Sequence, residues 1–351
     1  MADLLAALRR GEQMLELNNQ EEEIERPLVE RKNPFHIYEN NDFLQRYRFT
    51  KHTALHIIEE LTPALERHTS RTNAVPVHLQ VLTAMRFYAV GTFQLLHGDE
   101  CGLSLSSLSR IIVQVSTEIA RWRRRYIHFP NTPEQVARTQ EEFFQYCDFP
   151  GVVGAIDCTH VPIRCPGGEN AQRFINRKGR FSVNVQAVCN HNGLLINLVA
   201  RWPGGTHDSR IFRECQLKEN LERESHEEKW LLGDSGYPCQ PYLMTPIQNP
   251  VGRGEIRYNR AQVRGRNIIE RTFGMMKRRF PCMNELRLKL NTTLMTIVAV
   301  GVLWNLSILR NEPEIAGPDG IQVPGDQLPP PGMNNVAGHL RRQRIIQDNF
   351  V

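Results

Sequence analysis

From about Asp42 to Tyr126 the apolar residues fall three or four apart, the spacing of helices with one buried face. Thr50 can cap a helix over Leu55, Ile57, Ile58 and Leu61, and Pro76 opens another through Leu79, Leu82, Met85 and Tyr88. Gly91, Gly98 and Gly102 then break the chain around a short middle helix. Ser104 caps a long last helix whose apolar stripe is Leu105, Leu108, Ile111, Ile112, Val115, Ile119 and Trp122, with Ser106, Ser107, Arg110 and Gln114 on other faces. Beyond a connecting helix at about 133–147 the pattern turns to strands, at 152–156, 161–164, 181–188, 194–200 and 230–232, with turn chemistry such as His191-Asn-Gly193 between them. The first four read as adjacent antiparallel strands, and the fifth follows a helix over about 209–223.

Strands followed by alternating helix and strand, then helices, imply an α+β or α/β layered domain over 131–310, behind an all-α region over 42–130. Residues 1–41 read as a flexible arm with an acidic cluster, Glu21, Glu22, Glu23 and Glu25. Residues 311–351 read as a flexible tail, since 311–338 hold 11 Pro or Gly. The tail ends in a short basic helix around 340–346. The stretch 291–309 has no charged residue, but its three Thr, two Asn, Ser and Gly favour a buried core helix over a membrane span. Helix, short helix, Gly turn and polar-faced helix is the layout of a helix-turn-helix reader, which would offer Ser107, Arg110 and Gln114 to a DNA groove. The same spacing suits an ordinary helical bundle.

With 351 residues, 40% apolar and 23% charged, the chain has ample core for a soluble globular protein. Its eight cysteines include no C-x-x-C pair and no secretory signal precedes them, so reduced thiols in an intracellular protein are expected rather than a disulfide framework or zinc finger. The net charge of +5 is modest, but residues 251–290 carry eleven Lys/Arg against three Glu. That local excess points to a phosphate-rich partner, met by Arg266, Arg271, Lys277, Arg278 and Arg279.

One of those three acids is Glu270, embedded in the most basic helix of the chain. Asp234 closes the apolar run beginning at Trp230, and Asp157 ends the run beginning at Gly151. Carboxylates at strand ends, with a third on a helix packed against the same sheet through Ile268, Ile269, Phe273 and Met276, would supply hard oxygen ligands for divalent cations. Asp208, at the start of the helix after the fourth strand, is either a further ligand or an N-cap.

Four blocks, Gly-Ala-Ile-Asp157-Cys-Thr-His, Trp-Pro-Gly-Gly-Thr-His-Asp208-Ser-Arg-Ile-Phe, Leu-Leu-Gly-Asp234-Ser-Gly-Tyr-Pro and Ile-Ile-Glu270-Arg-Thr-Phe-Gly-Met-Met-Lys-Arg-Arg-Phe, resemble in this order the DDE endonuclease domain of PIF/Harbinger transposases and of the vertebrate nuclease derived from them. The resemblance covers about residues 42–310 and implies a ribonuclease H-like domain preceded by an all-α helix-turn-helix domain. It implies Asp157, Asp234 and Glu270 as the catalytic, metal-binding triad, Asp208 as an additional ligand, and two Mg2+ ions, with Mn2+ able to substitute. Asn176-Arg177-Lys178-Gly179 matches a family element expected close to DNA. Cys158 stands where the family commonly has Gly. Further expectations are transposon ends and target DNA as substrates, a Myb-like partner encoded by the same element, a homo-oligomer, no membrane association, and the nucleus as working compartment, with some protein in the cytoplasm. A domesticated descendant that binds DNA or a regulatory partner, with weak or absent cleavage, is the rival expectation. A purely architectural DNA-binding module leaves four acids among cations unexplained.

Overall fold

The computed structural model describes residues 33–66, 74–91, 103–224, 228–315 and 335–350. Its first third is helical: α1 (Pro34–Ile37), α2 (Asn40–Tyr47), α3 (Lys51–Leu65), α4 (Val77–Val90), α5 (Leu105–Arg121) and α6 (Arg123–Tyr126). Thr50 accepts the Thr53 amide at the start of α3, and Ser104 accepts that of Ser107 at the start of α5, each satisfying a donor the first turn leaves open. The expected stripe of α5 is buried at Leu108, Ile111, Ile112, Val115 and Ile119. The expected short middle helix and the acidic cluster at 21–25 lie outside the described residues.

After α7 (Pro133–Cys147) come β1 (Val152–Pro162), β2 (Ser182–Cys189), β3 (Leu195–Pro203), α8 (Asp208–Arg213), α9 (Gln216–Arg223), β4 (Trp230–Leu232) and β5 (Leu243–Met244). The sheet order is β3-β2-β1-β4-β5. β1–β2 and β2–β3 are antiparallel, while β1–β4 and β4–β5 are parallel. The expected strands at 152–156 and 161–164 are therefore one strand. Asp157-Cys-Thr-His interrupts its apolar pattern without interrupting its pairing with β2, which runs from Ala155 to Pro162. The helix expected over 209–223 is likewise two helices, with Glu214 and Cys215 between them.

The chain closes with α10 (Gly252–Arg279), α11 (Leu290–Leu309) and α12 (Val336–Asn349). α10 packs on β1 and β2, while α11 packs on both α5 and β3, so the N-terminal helices and the sheet share one hydrophobic core. α11 is long and apolar enough to cross a membrane, yet most of it is buried inside the protein. Its Asn305 bonds the backbone of Tyr126 and Leu195, tying the helical region to the sheet. The seven described cysteines are free. The expected tail is anchored at its far end: Ile345 and Phe350 are buried, with Phe350 packed tilted against Phe149 and edge-to-face against Tyr258, and Gly338 lies against the Cys239 carbonyl, where a Cβ would come within 2.5 Å.

Candidate active site

β4 parallels β1 only as far as Ala155, opposite Leu232, so Asp157 and Asp234 follow at the same level where the parallel pair ends. Asp157 is thus mid-strand in β1, not at a strand end as expected, yet it occupies the carboxyl edge of the parallel half. That is where an open α/β sheet leaves a crevice. Gln262 of α10, fully buried, donates to the Gly233 and Met244 carbonyls at 2.7 and 3.3 Å and holds the chain that delivers Asp234. The Asp234 carboxylate accepts the Gly236 amide at 3.0 Å, and Asp157 accepts the Cys158 amide at 2.7 Å.

Asp208 reaches the cluster from the other layer. It is the first residue of α8, with His207 at the cap position, so it is not the side-chain N-cap that its sequence allowed. Its carboxylate accepts the Asn184 amide at 2.8 Å; Asn184, buried on β2, also donates to the Thr206 carbonyl and so fixes the loop before α8. Glu270 projects from α10, on which Ile268, Ile269, Phe273 and Met276 are buried as expected.

The electrostatics follow from this crowding. Burial, then the charge of Asp234, pushes the Asp157 carboxyl well above the usual carboxylate range. Burial, then Asp208, raises Asp234, which also feels Glu270. Asp234 is therefore the hub, within electrostatic reach of the other three acids. Cys158 and Tyr237, joined at 3.3 Å beside this cluster, are pushed up in turn by burial and by Asp208.

Arg266, expected at a phosphate, instead lies among the acids. Its guanidinium is 2.5 Å from Glu270 and 4.0 Å from Asp157, and its side chain is only 18% exposed. A buried anionic cluster draws in the nearest cation, and Arg266 stands one helical turn from Glu270. With Glu270 turned onto Arg266, no group of three or more acids, histidines or cysteines among the described residues converges on one point. The donor set still suits a hard divalent cation, since all four groups are carboxylates, and burial with mutual repulsion disfavours the ionised forms of Asp157 and Asp234. Glu270, 41% exposed, has room to leave Arg266.

Cations line the neighbouring surface. Lys277, two turns along α10 from Glu270, donates to the Thr159 hydroxyl at 2.7 Å and the His160 carbonyl at 3.1 Å. Burial, then Lys178, pulls its ammonium down to about 8. Arg177 and Lys178 are exposed on the turn before β2, which Asn176 braces, and Arg177 meets His207 Nδ1 at 2.9 Å, one residue from Asp208. His160 lies at 3.0 Å from the Ser182 hydroxyl. Arg271 and Arg278 are exposed. Arg279 departs from expectation: it is buried and donates to the Arg48 and Pro313 carbonyls at 2.6 and 2.5 Å, burial pulling its pKa down to about 10. Three successive helix positions point in three directions, so only Arg278 of this trio faces open solvent. On α5, Arg110 and Gln114 are exposed and Ser107 half-buried, far along the chain from the acids.

Sequence reasoning missed Asn184 and Gln262. Asn184 alternates with Ser182 and Gln186 along one buried face of β2, and Gln262 is a polar residue among the buried positions of α10; those were the available signals.

The segment 156–305, which contains all four acids, matches the model of the DDE superfamily endonucleases. The chain is 34% identical over 269 residues to the Bos taurus protein named "Putative nuclease HARBI1", and 33% identical over 269 residues to its Homo sapiens counterpart, covering 76% of this chain and 77% of theirs. It belongs to the Harbinger-derived nuclease family. It is also 24% identical over 230 residues to the Arabidopsis thaliana "Protein ALP1-like", covering 61% of this chain and 56% of that one. No solved structure matches the chain.

Proposed function

We propose that this family member is a DNA transposase of the PIF/Harbinger type, cutting transposon ends and joining them to target DNA through a ribonuclease H-like site. The observation that carries this reading is the assembly of Asp157, Asp234, Asp208 and Glu270 from a strand, a strand end and two different helices, with Lys277, Lys178 and Arg177 beside them. Asp157, Asp234 and Glu270 are the triad that would hold two divalent cations, Mg2+ or in its place Mn2+, with Asp208 adding an oxygen. Such cations would activate water or a DNA 3′-hydroxyl and stabilise the leaving oxygen of the phosphodiester. The chain's own part is to aim the acids and hold the phosphate. Asn184 orients Asp208, Gln262 supports the Asp234 turn, and Lys277 and Arg177 meet backbone oxygens. Arg266 balances the charge of Glu270 and Asp157, and Glu270 would have to leave it to act as a cation ligand. In this reading the ends are read by Ser107, Arg110 and Gln114, a homo-oligomer pairs the two ends, and a Myb-like partner of the same element assists recognition and entry to the nucleus.

A second reading has its own support. Glu270 engaged by Arg266 suits a domesticated descendant that binds DNA while cleaving it weakly or not at all. A nicking assay on supercoiled plasmid with Mg2+, Mn2+ or EDTA decides between them. Metal-dependent nicking that disappears in Asp234→Ala supports the nuclease; no nicking by wild-type protein that binds DNA supports the descendant.

A further inference from the structure

The long helix α10 has a face that the carboxylate site does not use. Arg253, Arg257, Arg260, Arg264, Arg271 and Arg278 are all exposed. Their spacings of four, three, four, seven and seven residues keep them on one stripe, with Asn267 filling a step between Arg264 and Arg271. The stripe runs about 37 Å, close to one turn of duplex DNA at about 34 Å. It lies on the opposite shoulder of the helix from Arg266, Glu270 and Lys277, roughly 100° around the axis at 100° per residue.

Two features set this stripe apart from a solvated helix face. A face chosen for helix stability mixes signs, because like charges four apart work against the helix. No acid stands on this one: Glu255 is turned to the Val251 amide at 2.6 Å and Glu270 to Arg266. Arg264 also meets Asp148, on the turn after α7, at 3.4 Å. The second feature is Gly274, in the helix interior between the acid shoulder and the stripe. Among the described residues a Cβ there would meet nothing within 4 Å, so none of their contacts asks for glycine at a position where alanine makes a better helix. A glycine that the protein's own packing does not need fits a surface that another backbone approaches closely.

We propose that duplex DNA lies against this outer face of α10, with its sugar-phosphate backbone closest at Gly274 and its phosphates following the arginine stripe toward Arg253. The occupant is a polyanion of regular spacing because the stripe is regular, purely cationic and continuous with the helix that carries Glu270. This rests on the phosphodiester reading of the acid site and adds the path of the duplex away from it.

The test is equilibrium binding of a 5′-labelled duplex of about 30 base pairs in EDTA, across a salt series, so that the result does not depend on cleavage. In the full chain, Arg253→Gln, Arg257→Gln and Arg260→Gln together should lower the slope of log K against log salt by about 2–3, one counterion per lost phosphate contact. Gly274→Ala should raise Tm while weakening DNA binding several-fold. An unchanged slope and affinity in the triple variant would overturn the track, and unchanged affinity in a stabilised Gly274→Ala would overturn the close approach. A wild-type protein that binds DNA with the expected slope but never nicks it would leave this path standing and remove only the nuclease reading.

Discussion

Two helices present polar faces that the sequence marks for DNA, and they are held in opposite ways. On α10 the polar side chains that matter are locked: Gln262 into carbonyls at the ends of β4 and β5, Lys277 onto β1, Arg266 among the acids, Arg279 under the chain at Arg48 and Pro313. On α5 they stand at the surface. Arg110 donates to the Ser106 carbonyl of its own helix at 3.3 Å, and Gln114 is exposed. Rigid placement suits chemistry, which needs groups aimed before the substrate arrives, while an adaptable surface suits reading a groove. α10 is therefore expected to govern cleavage and stability, and α5 selectivity.

The largest break in that contrast comes from Asp234→Ala. Removing the hub acid should lower metal-dependent nicking by about 10³-fold or more while leaving DNA affinity intact, a magnitude on the scale of losing one principal electrostatic group from an active site. If nicking persists at the wild-type rate, the cluster is structural and the two helices are not distinguished by chemistry. Next is Arg279→Met against Arg278→Met. The first strands the Arg48 and Pro313 carbonyls and should cost about 2–4 kcal/mol of stability by thermal or urea unfolding. The second should leave unfolding unchanged and weaken binding to all DNA alike. Equal stability of the two variants would mean the burial of Arg279 contributes nothing.

For α5, Arg110→Ala with Gln114→Ala should cost selective binding of end sequences about 1–3 kcal/mol per lost base contact without touching nicking of non-specific plasmid. Unchanged selectivity in a competition assay would leave α5 as bundle surface. The smallest effect is at Asp157. Its folded-state pKa is raised above the unfolded value, so between the two the native state keeps a proton that the unfolded chain releases, and stability falls as pH rises through that window. Asp157→Asn lacks this loss. Without divalent metal it should be more stable than wild type at pH 8 by on the order of 1 kcal/mol, with the difference fading toward pH 4. A wild type that is the more stable at pH 8 would remove the repulsion argument.

The caps at Thr50 and Ser104, the stripe of α5, the buried α11 and the acids were legible because each depends on nearest neighbours along the chain. Periodicity failed at Asp157-Cys-Thr-His, where site residues replace the apolar alternation that marks a strand, and one strand read as two. The stretch 253–266 carries no such signal of its own: Gly252, Gly254 and four exposed arginines look like a loop, and the helix exists because Tyr258, Ala261, Gln262 and Gly265 are buried on one side.

Local sequence thus determined which acids close apolar runs, which helix is rich in cations, and which helices have a face to bury. Only the tertiary structure decided which carboxylates share a space, since that depends on β4 stopping level with Ala155 and on α10 and α8 approaching from opposite layers. It also decided the fates of Arg266 and Arg279. A charged side chain's role is set by the dielectric and the partners around it, and those come from segments tens or hundreds of residues away, Asp157 for one and Arg48 for the other.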